Sequence, residues 1–159
     1  MKKILLLVVL FTTAFMQTIK AQDTADQNRL NQVLQSYYEV KDALVNGNSN
    51  AASANATAFI KNINGISYKL ISEGNVNALL KDAGAIADAK DIKKQREVFA
   101  TFSTNMAELA KGLKLTGQPV YLQYCPMKKA SWLSSEKSIK NPYYGSAMLT
   151  CGKVTETIQ

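Results

Sequence analysis

Cys125-Pro126-Met127 and Met148-Leu149-Thr150-Cys151 place two thiols and two thioethers at the two ends of a segment that closes at Gly152. Thiolates and thioethers are soft donors. They suit Cu(I) or Ag(I), whose filled d shells accept polarizable ligands without a strict geometry. Pro126 fixes the backbone between Cys125 and Met127, so that one rigid turn presents both side chains. Gly145 and Gly152 permit the tight turns that carry Met148 and Cys151 inward. Cys125, Met127, Met148 and Cys151 are therefore candidate metal ligands, although C-x-M alone is a weak pattern.

The same two cysteines have a purely structural reading. An exported chain with only two cysteines commonly joins them, because its compartment is oxidising. A Cys125–Cys151 disulfide would stabilise the fold by about 3.5 kcal/mol on the chain-entropy account. It would also consume both thiolates, leaving Met127 and Met148 as weak ligands at most. Tyr124, Trp132, Tyr143 and Tyr144 likewise serve either as a miniature core for this segment or as an aromatic shell that shields a bound ion. Lys128, Lys129, Lys137 and Lys140 read as solvated, with a basic rim for an acidic partner as the functional alternative.

Histidine is absent. That removes Ser-His-Asp and Cys-His catalysis, His-ligated zinc and haem, and the His/Cys/Met copper site. There is no C-x-x-C for a thiol oxidoreductase, and Glu97, Glu108 and Glu136 show no pairing suited to acid-base work. The chain is not expected to be an enzyme.

The elements that must position these sulfurs follow from periodicity. Residues 1–21 read as a secretory signal: Lys2 and Lys3, the apolar run Ile4 to Phe11, then polar residues to a cleavage site near Ala21. The run is too short to cross a bilayer, which takes about 20 residues. A periplasmic or secreted product with no further membrane span is expected. Removing Lys2, Lys3 and Lys20 lowers the formal charge from +7 to +4, too mild and dispersed for a nucleic-acid surface.

Apolar residues at three- and four-residue steps predict a helix over about 24–46, carrying Leu30, Val33, Leu34, Tyr37, Val40 and Leu44. A second begins near Ser49 and is expected to continue or kink through Asn64-Gly65, because Ile66 and Leu70 stay in phase. A third spans about 76–87. A fourth runs from about Asp91 to Gly112 with Phe99, Phe102, Met106 and Leu109 in one stripe. From Leu115 the pattern changes: Val120, Leu122 and Tyr124 alternate, as does Lys153 to Ile158. Pairing these segments antiparallel would bring Cys125 beside Cys151. The expected fold is mainly α: an antiparallel bundle of about four helices (22–114), and a cysteine-anchored cap (115–159) with a short strand pair in the same domain.

Cys125-Pro126-Met127, Trp132-Leu133-Ser134, Asn141-Pro142-Tyr143-Tyr144-Gly145 and Met148-Leu149-Thr150-Cys151-Gly152 together resemble the signature of a domain-of-unknown-function family of exported Gram-negative proteins. The same domain occurs attached to periplasmic adaptor subunits of heavy-metal efflux pumps. Weaker similarity extends upstream through Gln95-Arg96-Glu97-Val98-Phe99. The resemblance implies Cu(I) or Ag(I) handling at Cys125, Met127, Met148 and Cys151, with an efflux adaptor or another metal-handling protein as partner. Some members carry a histidine just before Cys-Pro-Met, where this chain has Tyr124; an imidazole ligand supplied there is missing here.

Overall fold

The computed structural model describes the backbone of residues 2–159 and the side chains of residues 24–159. The side chains of the leader expected at residues 1–21, and of its cleavage site, lie outside those described. Helix α1 spans Lys2–Val45, α2 Ser49–Asn64, α3 Glu73–Asp88 and α4 Ile92–Gly112; strands β1 (Val120–Cys125), β2 (Ala130–Ser134) and β3 (Lys153–Ile158) follow, with a 3-10 turn at Gly145–Met148 before β3. Each helix packs on the next in sequence, as short connections between antiparallel neighbours require. Among the described residues, no helix is long and apolar enough to cross a membrane.

Local chemistry sets the helix ends. The side chains of Asn48, Ser72 and Asp91 accept hydrogen bonds from the backbone N–H groups of Ala51, Asn75 and Lys94, satisfying donors that a helix start leaves open. The second helix does not continue through Gly65 as its apolar phase suggests. It stops at Asn64, and tight turns carry the chain onward, with Gly65 N–H bonded to Asn62 O and Ile66 N–H to Ile63 O. Ile66 and Ile71 are buried all the same, placed by the loop instead of by helical phase. The Ser72 cap then starts α3 three residues before Val76, where the apolar pattern begins.

The core is one cluster. Tyr37 of α1 lies at its centre, stacked on Phe99 at 5.6 Å and tilted against Phe102 at 5.4 Å, while Phe59 meets Phe102 edge-on at 4.8 Å. Its hydroxyl is not left dry. It hydrogen-bonds Ser103 of α4 and accepts the Leu133 N–H of β2 at 3.0 Å. One phenol thus joins two helices and the sheet.

The sheet has three antiparallel strands in the order β2-β1-β3. The expected pairing of β1 with the C-terminal segment is present, but β1 also pairs with β2, so the cap holds a sheet where only a strand pair is expected. Trp132 and Leu133 stand side by side in β2, and both are fully buried. Such a strand lacks the alternation that marks a half-exposed one. Buried Gln123 of β1 donates to the carbonyls of Glu136 at 2.8 Å and Ser138 at 3.2 Å, tying down the loop that leaves β2.

Candidate functional site

Strand pairing brings the cysteines together. Tyr124 lies opposite Lys153 in the β1–β3 ladder, so Cys125, one residue on, faces the chain just before β3, where Cys151 sits. Their sulfurs are 3.6 Å apart and not bonded. Cys125 is fully buried and Cys151 half-buried.

Asn141 organises the other wall. Its Oδ1 accepts the N–H groups of Tyr143 at 2.8 Å and Tyr144 at 3.3 Å, an Asx-type turn. Its backbone N–H donates to Leu149 O at 2.8 Å, and its carbonyl accepts Gly145 N–H at 3.0 Å. Its Nδ2 donates to the carbonyl of Cys151 at 2.7 Å. The Asn-Pro-Tyr-Tyr-Gly run is therefore a clamp on the backbone that carries the second cysteine.

Two glycines let this clamp close. Gly145 has φ +56, and a Cβ there would meet the Arg96 guanidinium and lie 2.8 Å from Val45 O. Gly152 has φ +151, and a Cβ would lie 2.9 Å from the Trp132 ring and 3.0 Å from Tyr124 O. Both positions combine a backbone conformation that favours glycine with a close approach.

The two thiols differ electrostatically. Burial pushes the Cys125 thiol up, but hydrogen bonds from the Lys128 N–H, the Asn141 side chain, Cys151 and the Met127 N–H outweigh it, and hold the thiol below its ordinary range. Donors aimed at a sulfur favour its charged form. Cys151 is pushed up, chiefly because it donates to Cys125 and then by burial. Of the two, Cys125 is the thiol that gives up its proton more readily.

The four sulfurs are not equally placed. Met127 lies in the turn between β1 and β2 and is 64 % exposed, whereas Met148 is half-buried at the end of the 3-10 turn. Cys151 N–H donates to Met148 O at 3.1 Å, which links that methionine to the pair through the backbone. Trp132 and Tyr143 are buried with their rings edge-on at 5.9 Å, and Tyr143 tilts against Phe99 of α4 at 5.8 Å. These two are core that ties cap to bundle. Tyr124 and Tyr144 are half-buried.

The donor chemistry can be tested against a metal. Two sulfurs each about 2.3 Å from one ion lie at most about 4.6 Å apart, and a 3.6 Å separation meets that limit. Among the described residues, no group of three or more His, Cys, Asp or Glu could hold a metal. The donors that the cysteines offer are of the kind a soft ion prefers over a hard one.

Residues 33–118 match a family described as a protein of unknown function, DUF3347. The chain belongs to this family. The DUF3347 match runs from within α1 to just before β1, so it covers most of the bundle, and both cysteines lie beyond it. No curated protein and no solved structure matches the chain.

In the sequence Asn141 stands out only as part of a motif, and Tyr37 only as a member of an apolar stripe. An asparagine before proline is a known turn former, which was the available signal for the first. Nothing in the sequence marks the Tyr37 hydroxyl as the link to β2.

Proposed function

We propose that this DUF3347 protein is a periplasmic, non-catalytic module that binds Cu(I) or Ag(I) through Cys125 and Cys151, in the manner of a metal buffer or metallochaperone linked to heavy-metal efflux. The observation that carries the reading is the unbonded Cys125–Cys151 sulfur pair at 3.6 Å, with Cys125 held toward its thiolate. A thiolate is the form that ligates a metal. Met148, adjacent in the backbone, and Met127, on the exposed turn, are the candidate thioether donors. The efflux adaptor is the partner that the cap motifs suggest.

What the ion would supply is the reason for the protein; what the chain supplies is a preset donor pair. Asn141 holds the Cys151 backbone, and the Met127 and Lys128 N–H groups stabilise charge on Cys125. Burial of Cys125 keeps water and oxidants from that sulfur.

Native mass spectrometry of the reduced protein titrated with Cu(I) tests this. One ion per chain is expected. Met148→Ala should weaken binding, Met127→Ala should weaken it less, and Cys125→Ser or Cys151→Ser should abolish it. The rival reading is a disulfide-stapled interaction or ligand-binding domain with no metal. It predicts no stoichiometric uptake and methionine variants that behave as the parent.

A further inference from the structure

A second candidate site lies where cap and bundle meet. The C-terminal turn of α1, the first turns of α4 and the loop after β2 enclose a cleft of about 650 Å3, within the size range of small-molecule sites. Its charged lining is Lys41, Asp42, Arg96, Glu136 and Lys140, and Leu149 and Val45 add apolar wall.

Four of those charges are already matched. Lys41, almost wholly buried, pairs with Asp42 at 2.8 Å. Lys140 pairs with Glu136 at 2.9 Å, and Ser138 supports that carboxylate at the same distance. The two pairs come from different elements, α1 and the cap loop.

Arg96 is the charge left over. It forms no ion pair among the described residues. Its Nη2 donates to Leu44 O at 2.7 Å, while its Nε is buried with no partner. Desolvation lowers the affinity of this guanidinium for its proton, the mark of a cation held from water without an anion beside it. Gly145 approaches it so closely that a Cβ would collide with it, so the cap is shaped around this side chain.

We propose that this cleft binds a small organic monocarboxylate, with its carboxylate on Arg96 and its carbon body along Val45 and Leu149. One uncompensated positive charge selects a single negative one. A dianion would leave its second charge without a free cation, since Lys41 and Lys140 are already paired, and a planar guanidinium recognises a carboxylate better than a point cation does. The site does not depend on the sulfur pair, and a Cys125→Ser/Cys151→Ser protein should retain it.

The test is an NMR titration of the full exported protein with acetate, hexanoate, succinate and inorganic phosphate at matched ionic strength. Saturable shifts are expected around Arg96 and Leu149. Hexanoate should bind more tightly than acetate, and succinate and phosphate more weakly than either. Arg96→Lys, which keeps the charge and loses the fork, should weaken hexanoate about tenfold. Since Arg96 also holds the end of α1, Leu149→Trp is the second variant: it fills the cleft from a partly exposed position and should abolish saturable shifts. Absence of saturation with every carboxylate overturns the proposal, as does hexanoate binding that both variants leave unchanged, or phosphate binding as tight as hexanoate.

Discussion

The side-chain amide of Asn141 donates to the carbonyl of Cys151 at 2.7 Å while its oxygen holds the Tyr143 and Tyr144 N–H groups. One residue thus fixes both the turn and the cysteine that the turn delivers. Asn141 is fully buried, so its polar atoms have no water to fall back on.

Asn141→Ala should therefore cost about 1–3 kcal/mol, the penalty for leaving buried backbone groups unpaired. Urea unfolding under reducing conditions measures it. The same change removes a donor to Cys125, so the Cys125 thiol should titrate at higher pH than in the parent. A cost without that titration shift would mean that Asn141 acts on the fold alone.

The thiol pair should titrate in two separated steps. Cys125 is depressed, so the stability it contributes is present above the unfolded thiol value, about 8.5, and is lost as pH falls through its lower folded value. Cys151 is raised, so its contribution is present below the unfolded value and is lost as pH rises through its higher folded value. Thiolate ultraviolet absorbance of the reduced protein should rise once below and once above the ordinary thiol range. A single step within that range contradicts the asymmetry.

Tyr37→Phe deletes one oxygen at the centre of the core. It leaves the Leu133 N–H and the Ser103 hydroxyl without the partner they share, and should destabilise the fold by about 1–3 kcal/mol with little change in packed volume. Chemical denaturation checks the size of the loss. A neutral result would mean that β2 is not held to the bundle through this phenol.

Gly145→Ala should cost about 2 kcal/mol or more, because it adds strain at φ +56 to a collision with Arg96 and Val45 O. Thermal unfolding measures it. Gly84→Ala, where a Cβ meets nothing, serves as the helical control and should be neutral or stabilising.

Much of this was legible in the residues. The helical stripes were marked by spacing, and the same spacing put the start of α4 near Asp91. The cysteine approach followed from pairing Val120–Cys125 with Lys153–Ile158. That second strand shows its alternation through β-branched residues although nearly all of it is exposed. The strand β2 carries no such signal, because Trp132 and Leu133 are buried side by side, on both faces, and no period of two survives. The early end of α2 was hidden because Ile66 keeps helical phase while the chain has already turned. The Asn141 turn had its signal in Asn-Pro, but the reach of its amide to Cys151 O and of Arg96 to Leu44 O are hydrogen bonds to backbone carbonyls further off in sequence, which no residue pattern encodes.

The central claim is that Cys125 and Cys151 are a reduced pair that shares one soft ion. Intact-mass analysis of the exported protein after alkylation without prior reductant, with and without Cu(I), tests it most directly. The account predicts two alkylated thiols in the apo protein, both protected by one equivalent of Cu(I). A chain that takes up no alkylating group until it is reduced would contain a disulfide, and the metal reading would fall.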